Sequence, residues 1–271
     1  MSKILNVVIL YDNEAEVYDY AVQLSKQEIH DQLALIIVVN KTNKSKFRLM
    51  SDKLSNLDMF IEIHTPDKNL GYLNGLIYGY EHYIKRNEKP KFVIMSNTDI
   101  EFADNTFIKK LIMTNYDENV WCVAPSVYSP TKKSYDNPQY KTRYTKSSLD
   151  KRIFIFNNPY LGYPYVKLSQ YKARFKRANK QDSCYVYSAH GCFFIIKPEL
   201  ADILISRPYK GLMYSEEAYI AELIRESDKR CFYDANIEVL HLESTVTSKL
   251  AFRKKSKFIA ESLEIVRDEF F

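Results

Sequence analysis

The chain has 271 residues, 46% of them hydrophobic, and a formal net charge of +5. That length supports one sizeable core, and its longest apolar run, Leu33 to Val39, is far too short to span a bilayer. Four cysteines (Cys122, Cys184, Cys192 and Cys231) without CxxC pairing or metal-ligand spacing argue against a disulfide scaffold or zinc site and fit reduced thiols in a cytosolic protein.

The amino terminus enters a strand near Ile4 without a signal-like apolar stretch, so the expectation is a soluble protein, at most attached to a membrane surface. Ile4–Leu10 reads as a buried strand. Asn13 then stands at a cap position with Glu16 at the capping-box spacing, and Val17, Tyr20, Ala21 and Leu24 form a helical apolar face. A second strand, Leu33–Val39, ends at Asn40; a polar helix from about Lys44 to Leu54 leads to a third strand near Met59–His64. After it, Asn69-Leu70-Gly71-Tyr72 opens a helix to about Arg86. Gly71, Gly75 and Gly79 lie along one stripe of it, which predicts close helix–sheet packing at Gly75 and Gly79 and a ligand-facing turn at Gly71.

The strand Lys91–Met95 runs directly into Asn97-Thr98-Asp99. Ligands in open α/β sheets bind beyond the carboxyl ends of such strands, so Asp99 is placed to hold a metal against a phosphate; the plainer alternative is a turn cap, with Asp104 opening the next helix. A helix to about Tyr116 and a strand at Val120–Ala124 follow. From Ser126 to Gln181, sequence rich in Pro, Tyr and Lys predicts loop or irregular structure. Order resumes with Tyr185–Lys197, a short helix from Pro198, a helix from Ser215-Glu216-Glu217 to about Glu226, strands at Arg230–Tyr233 and Ile237–Leu240, then His241, and a tail that is helical in pattern from Ser248. Strands alternating with helices through the first half argue one α/β domain over 1–247 with halves at 1–125 and 126–247, a basic, aromatic insertion near 130–182, and a C-terminal amphipathic helix at 248–271.

Taken in order, Asn69-Leu70-Gly71-Tyr72, Asn97-Thr98-Asp99, His190-Gly191, Ser215-Glu216-Glu217 and His241 resemble the inverting family 2 glycosyltransferases of the GT-A fold, especially bacterial enzymes that build rhamnose-containing and other surface polysaccharides. The resemblance covers about residues 4–245. It implies an α/β, Rossmann-like, mostly parallel central sheet flanked by helices, with a decorated acceptor-side half. It also implies transfer of a sugar from a nucleotide-diphosphate donor, UDP- or dTDP-linked, to a hydroxyl of a cell-surface polysaccharide or lipid-linked glycan. Under it Tyr11 and Asn40 cradle the nucleotide base, Asn69, Gly71 and Asn97 meet the donor, Asp99 with His241 holds a divalent metal (Mn²⁺ or Mg²⁺), and Glu217, with Glu216 beside it, is the catalytic base. A hard cation suits the departing diphosphate, and a carboxylate suits a hydroxyl that loses its proton only as the new bond forms.

The chain departs from that pattern at Asn40, where the family has aspartate, at Ile77, where a polar residue is common, and at Glu217, where the usual base is aspartate. Residues 141–180 carry eleven Lys or Arg and one acidic residue, a net +10 that leaves −5 for the remainder. This segment lacks any recognised nucleic-acid motif and reads as a loop over the acceptor site or a contact with an anionic lipid-linked acceptor. In the tail, Phe252, Ile259, Leu263, Val266 and Phe270 share a helical face while Lys249, Arg253 and Lys257 share another; that helix could lie on an anionic membrane, on the domain or on a partner subunit. Two rival functions stay open: a nucleotidyltransferase, disfavoured because Tyr11–Glu16 lacks glycine, lysine and arginine, and a non-catalytic nucleotide-sugar or glycan-binding module.

Overall fold

A computed structural model describes residues 3–243 and 252–271. The first three strands, β1 (Ile4–Tyr11), β2 (Leu33–Lys41) and β3 (Phe60–His64), are parallel and joined by helices α1 (Glu14–Ser25) and α2 (Lys44–Leu54). Helix α3 (Leu73–Ile84) returns the chain to β4 (Phe92–Ser96), which pairs parallel with β1. Then follow β5 (Ile100–Phe102), α4 (Phe107–Met113), β6 (Val120–Ser129), β7 (Ser134–Tyr135), α5 (Lys146–Asn157), α6 (Pro159–Lys176), β8 (Cys184–Val186), β9 (Phe193–Ile196), α7 (Pro198–Ser206), α8 (Glu216–Glu226), β10 (Arg230–His241) and α9 (Phe252–Phe270). The sheet order is β3-β2-β1-β4-β9-β6-β10-β5, with β9 antiparallel between β4 and β6. The expected mostly parallel α/β sheet flanked by helices, with a C-terminal helix, is therefore present.

The inner strands are apolar on both faces because both faces are covered. Leu5 and Val7 of β1 join a cluster beneath α3, α7 and α8, while Ile4, Val8 and Leu10 join a second beneath α1, α2 and α4. Gly75 and Gly79 let α3 approach: an added Cβ would lie 2.7 Å from Ile9 Cδ1 at the first and 2.5 Å from Val7 Cγ1 at the second. Gly71 lies before the helix, at φ +78°, where its missing Cβ admits the Leu212 carbonyl.

Several local expectations are corrected. Asn13 precedes α1 but caps nothing with its side chain; its Oδ1 accepts from Tyr11 N at 2.6 Å and its Nδ2 donates to Thr98 Oγ1 at 2.7 Å, so the predicted capping box is replaced by a tie to the Asn97–Asp99 turn. Helix α4 begins at Phe107, three residues after Asp104, whose carboxylate instead accepts from Thr106 N. The two predicted last strands are one, β10, interrupted where its register on β6 jumps from Asp234↔Pro125 to Glu238↔Ser126.

The largest correction concerns 126–181. Strand β6 runs on to Ser129, and the supposed irregular segment holds the helical hairpin α5–α6, with α5 opened by a Thr145/Ser148 capping box. Its inward residues Leu149, Ile153 and Phe156 are buried against Ala260 and Leu263 of α9. The apolar face of the tail is thus packed on the domain at Ala260, Leu263 and Val266, with Phe252, Ile259 and Phe270 partly buried. Lys249 and the 247/248 boundary lie outside the described residues. Among the described residues no helix is long and apolar enough to cross a membrane.

Candidate active site

Antiparallel pairing of β5 with β10 sets Ile100 opposite His241, which brings the residue before β5, Asp99, beside the imidazole at the strand's end. Asp99 Oδ2 and His241 Nε2 are 3.4 Å apart, and the Asp99 carbonyl accepts from Leu242 N. On the other side of the ring, Nδ1 is 3.4 Å from Asp136 Oδ2. Burial opposes a charge on His241, but hydrogen bonds to Asp136 and Asp99 and their charges outweigh it and raise its pKa to about 9. Burial would likewise raise Asp136, yet His241, His190 and Lys132 hold it well below the usual carboxylate range.

Asp136 was not found by sequence reasoning. It sits in the segment read as irregular, and it reaches the site only because its backbone N–H bonds to Val127 O and the next residue ties down the neighbouring turn: Asn137 Oδ1 accepts from His190 N at 2.8 Å. The His190 ring lies 5.7 Å from that of His241, and burial lowers its pKa to about 4, so it is neutral; its Nδ1 accepts from Cys192 N, which leaves the proton on Nε2. Glu243, also missed, groups with Asp136 and His241 closely enough to share an ion, and Lys132 pairs with both carboxylates.

Across Gly191 lies the acidic pair. Glu217 Oε2 would stand 3.5 Å from a Cβ at position 191, so the glycine leaves room beside that carboxylate. Tyr214 and Ser215, both at positive φ (70° and 59°), turn the chain sharply into α8 and deliver Glu216 and Glu217 to its first turn, a backbone conformation that costs non-glycine residues free energy and is often found at functional sites. Glu216 is 5% exposed; burial first, and then the charge of Glu217, lifts its pKa to about 8. Burial also raises Glu217, opposed by backbone hydrogen bonding and by the Arg152 guanidinium of α5. The charge of Glu217 thus opposes ionisation of Glu216, while Arg152 favours charge on Glu217.

Of the remaining expected residues, Tyr11 and Asn40 lie at the ends of β1 and β2, and Asn69, Gly71 and Asn97 lie in loops. Tyr11 ends β1 half exposed with Lys41 Nζ 5.3 Å from its ring centroid, and Asn97 N donates to Cys192 O. Asn69 Oδ1 accepts from Gly71 N at 2.8 Å, and Tyr72 bridges the Asn69–Gly71 turn to the acidic pair: its N–H donates to Leu212 O and its hydroxyl to Gly191 O. Asn40 is directed at this turn: Nδ2 donates to Gly71 O at 2.9 Å and Oδ1 accepts from Leu70 N at 3.2 Å. An aspartate could accept but could not donate, so the departure at Asn40 has a structural role here.

No family model matches the sequence, and no curated protein matches it. Solved structures do. The chain is similar to the mannosyltransferase PcManGT from Pyrobaculum calidifontis in complex with GDP-Man and Mn²⁺, at TM-score 0.57 and 12% identity over 90% of this chain and 58% of that one. It is also similar to GalNAc-T7 with UDP, GalNAc and Mn²⁺ (TM-score 0.58, 10% identity, 89% of this chain, 44% of that one) and to S. aureus TarS 1-349 in complex with UDP-GlcNAc (0.58, 10%, 92% and 61%). The architecture is thus the GT-A fold of glycosyltransferases, and this chain spans less than two thirds of the length of each of these neighbours.

Proposed function

We propose that the chain is a metal-dependent, inverting glycosyltransferase that moves a sugar from a UDP- or dTDP-linked donor to a hydroxyl of a surface polysaccharide or lipid-linked glycan on the cytoplasmic side. The observation that carries this reading is the convergence of Asp99 and His241, 3.4 Å apart, in front of a carboxylate pair reached across Gly191. The donor set suits a hard divalent cation: two ligand atoms on adjacent corners of an octahedron with bonds of about 2.1 Å are separated by roughly 3 Å. Asp136 on Nδ1 orients the imidazole so that Nε2 faces Asp99, the arrangement by which a carboxylate supports a ligating histidine. Asp99 and His241 would hold Mn²⁺ or Mg²⁺, which would supply positive charge where the diphosphate departs.

The protein's own groups do the rest. Glu217, beside the Arg152 guanidinium that favours its charge, takes the proton of the acceptor hydroxyl as that oxygen bonds to the anomeric carbon. The bond from that carbon to the nucleotide diphosphate breaks with its electron pair passing to the diphosphate, in one displacement that inverts the centre. The Asn69–Gly71 turn, whose backbone groups are engaged by Asn40, Asn69 and Leu212, would shape the donor pocket as a rigid wall. The structural neighbours, solved with GDP-Man, with UDP and GalNAc, or with UDP-GlcNAc, and in two cases with Mn²⁺, support a nucleotide-sugar donor and a divalent metal.

Thermal-shift titration of UDP-, dTDP- and GDP-sugars with and without Mn²⁺ tests donor and metal together, since only a ligand of the folded chain raises its midpoint. Asp99→Ala should abolish the Mn²⁺-dependent part of the shift. Glu217→Gln should keep donor binding and lower transfer by about 10²–10⁴-fold. Full transfer by both variants would refute the mechanism.

A further inference from the structure

The outer side of the α5–α6 hairpin reverses the usual rule that a helix turns its polar face to water. On α6, Tyr160, Lys167 and Tyr171 fall on one stripe at i, i+7 and i+11, with Leu168 beside them. Tyr160 is 91% exposed, Tyr171 64% and Leu168 54%; on α5, Phe154 is 69% exposed. The opposite face of α6 closes on α9, where Gly162 meets Ser256 and Phe252, so this stripe points away from the molecule. Charge accompanies it: residues 151–181 contain eight Lys or Arg and no acidic residue, and Lys151, Lys167 and Lys172 stand exposed among the aromatic rings.

We propose that the α5–α6 hairpin is a docking surface for an anionic lipid bilayer. Tyrosine rings seat at headgroup depth with the hydroxyl in water, leucine and phenylalanine reach the acyl boundary, and lysines meet phosphate, which is the composition of an interfacial helix. A second copy of the chain fits this face less well, because pairing the hairpins would bring like charges together. The apolar residues of α9 are already buried on α5, so the lipid contact belongs to the hairpin and not to the tail. The inner side of the same hairpin carries Arg152, whose charge reaches Glu217, so docking would hold the acidic pair close to the headgroups. The proposal stands on exposure and charge alone and does not depend on the transfer reaction.

Co-sedimentation of the full chain with phosphatidylcholine vesicles, with and without phosphatidylglycerol, tests it. The chain should pellet with the anionic vesicles and much less with the neutral ones. The triple change Lys151→Gln, Lys167→Gln and Lys172→Gln should weaken anionic binding on the order of a hundredfold, about fivefold for each lysine. Tyr160→Ser with Leu168→Ser should abolish it while leaving the thermal unfolding midpoint unchanged, because both side chains are exposed. Any one of four results overturns the proposal: no pelleting of the parent chain, equal pelleting of the variants, loss of binding only with Arg253→Gln and Lys257→Gln on α9, or a dimer in light scattering that the serine changes dissolve.

Discussion

Replacing Glu216 by glutamine should make the protein more stable, increasingly so as the pH rises. In the folded chain this carboxyl is buried beside Glu217 and titrates at about 8, against 4.5 for the ordinary side chain. Between those values the unfolded chain has released a proton that the folded chain keeps, so stability falls with rising pH across that window. At about 1.36 kcal/mol per pH unit, the interval from 4.5 to about 8 amounts to at most ~5 kcal/mol, fully expressed above pH 8 and absent below 4.5. Glutamine keeps an oxygen for the backbone N–H groups and carries no charge, so it escapes this loss. Urea unfolding of both chains at about pH 5, 6.5 and 8 gives the measurement: midpoints should be close at the lowest pH and separate progressively in favour of Glu216→Gln. Midpoints that remain parallel across the series would show that Glu216 ionises normally and that no proton is held beside Glu217.

Four further outcomes follow from the geometry. Asp136→Asn removes the carboxylate behind His241 Nδ1 and should weaken Mn²⁺ binding about 10–100-fold by calorimetry, with donor affinity in the absence of metal unchanged. Asn40→Asp sets a carboxylate against the Gly71 carbonyl now 2.9 Å from Nδ2; a loss of about 1–3 kcal/mol in denaturant unfolding and weaker donor binding are expected. Gly79→Ala gains up to ~1 kcal/mol of helix propensity but drives a Cβ to within 2.5 Å of Val7 Cγ1, an overpacking of about 1–3 kcal/mol, so a lowered melting temperature is the expected net result. Glu222 is fully buried between Arg143, Arg225 and the Tyr187 hydroxyl, and Glu222→Gln, which weakens its bonds to two partly exposed guanidiniums, should cost about 1–3 kcal/mol in the same unfolding assay.

Much of the architecture was legible in the chain because its central strands are continuous apolar runs between helices of regular period. Ile4–Leu10, Leu33–Val39 and Lys91–Met95 announce a sheet covered on both sides, and the order of Asn69–Tyr72, Asn97–Asp99, Glu216-Glu217 and His241 pointed to residues that the fold does bring together. What escaped had physical causes. The α5–α6 hairpin hides its helical period because its outward face is aromatic and aliphatic, so inside and outside look alike in sequence. Asn13 satisfies every local rule for a cap, yet its amide is claimed by Thr98, a partner fixed only by tertiary contact. Asp136 and Glu243 carry no local pattern at all; both are placed by loops around the end of β6, where Asp136 N bonds to Val127 O and Ser129 Oγ bonds to Glu243 Oε1.

The β5–β10 ladder makes the Asp99–His241 pair a late product of synthesis. Asp99 leaves the ribosome early, but its partner histidine belongs to the last strand to emerge, and only their antiparallel register sets the two side chains on a common side. A nascent or truncated chain ending before β10 would carry Asp99 without the histidine set beside it. A single residue added within Ile100–Phe102 or Val239–His241 would turn one of the two side chains to the opposite face of the sheet.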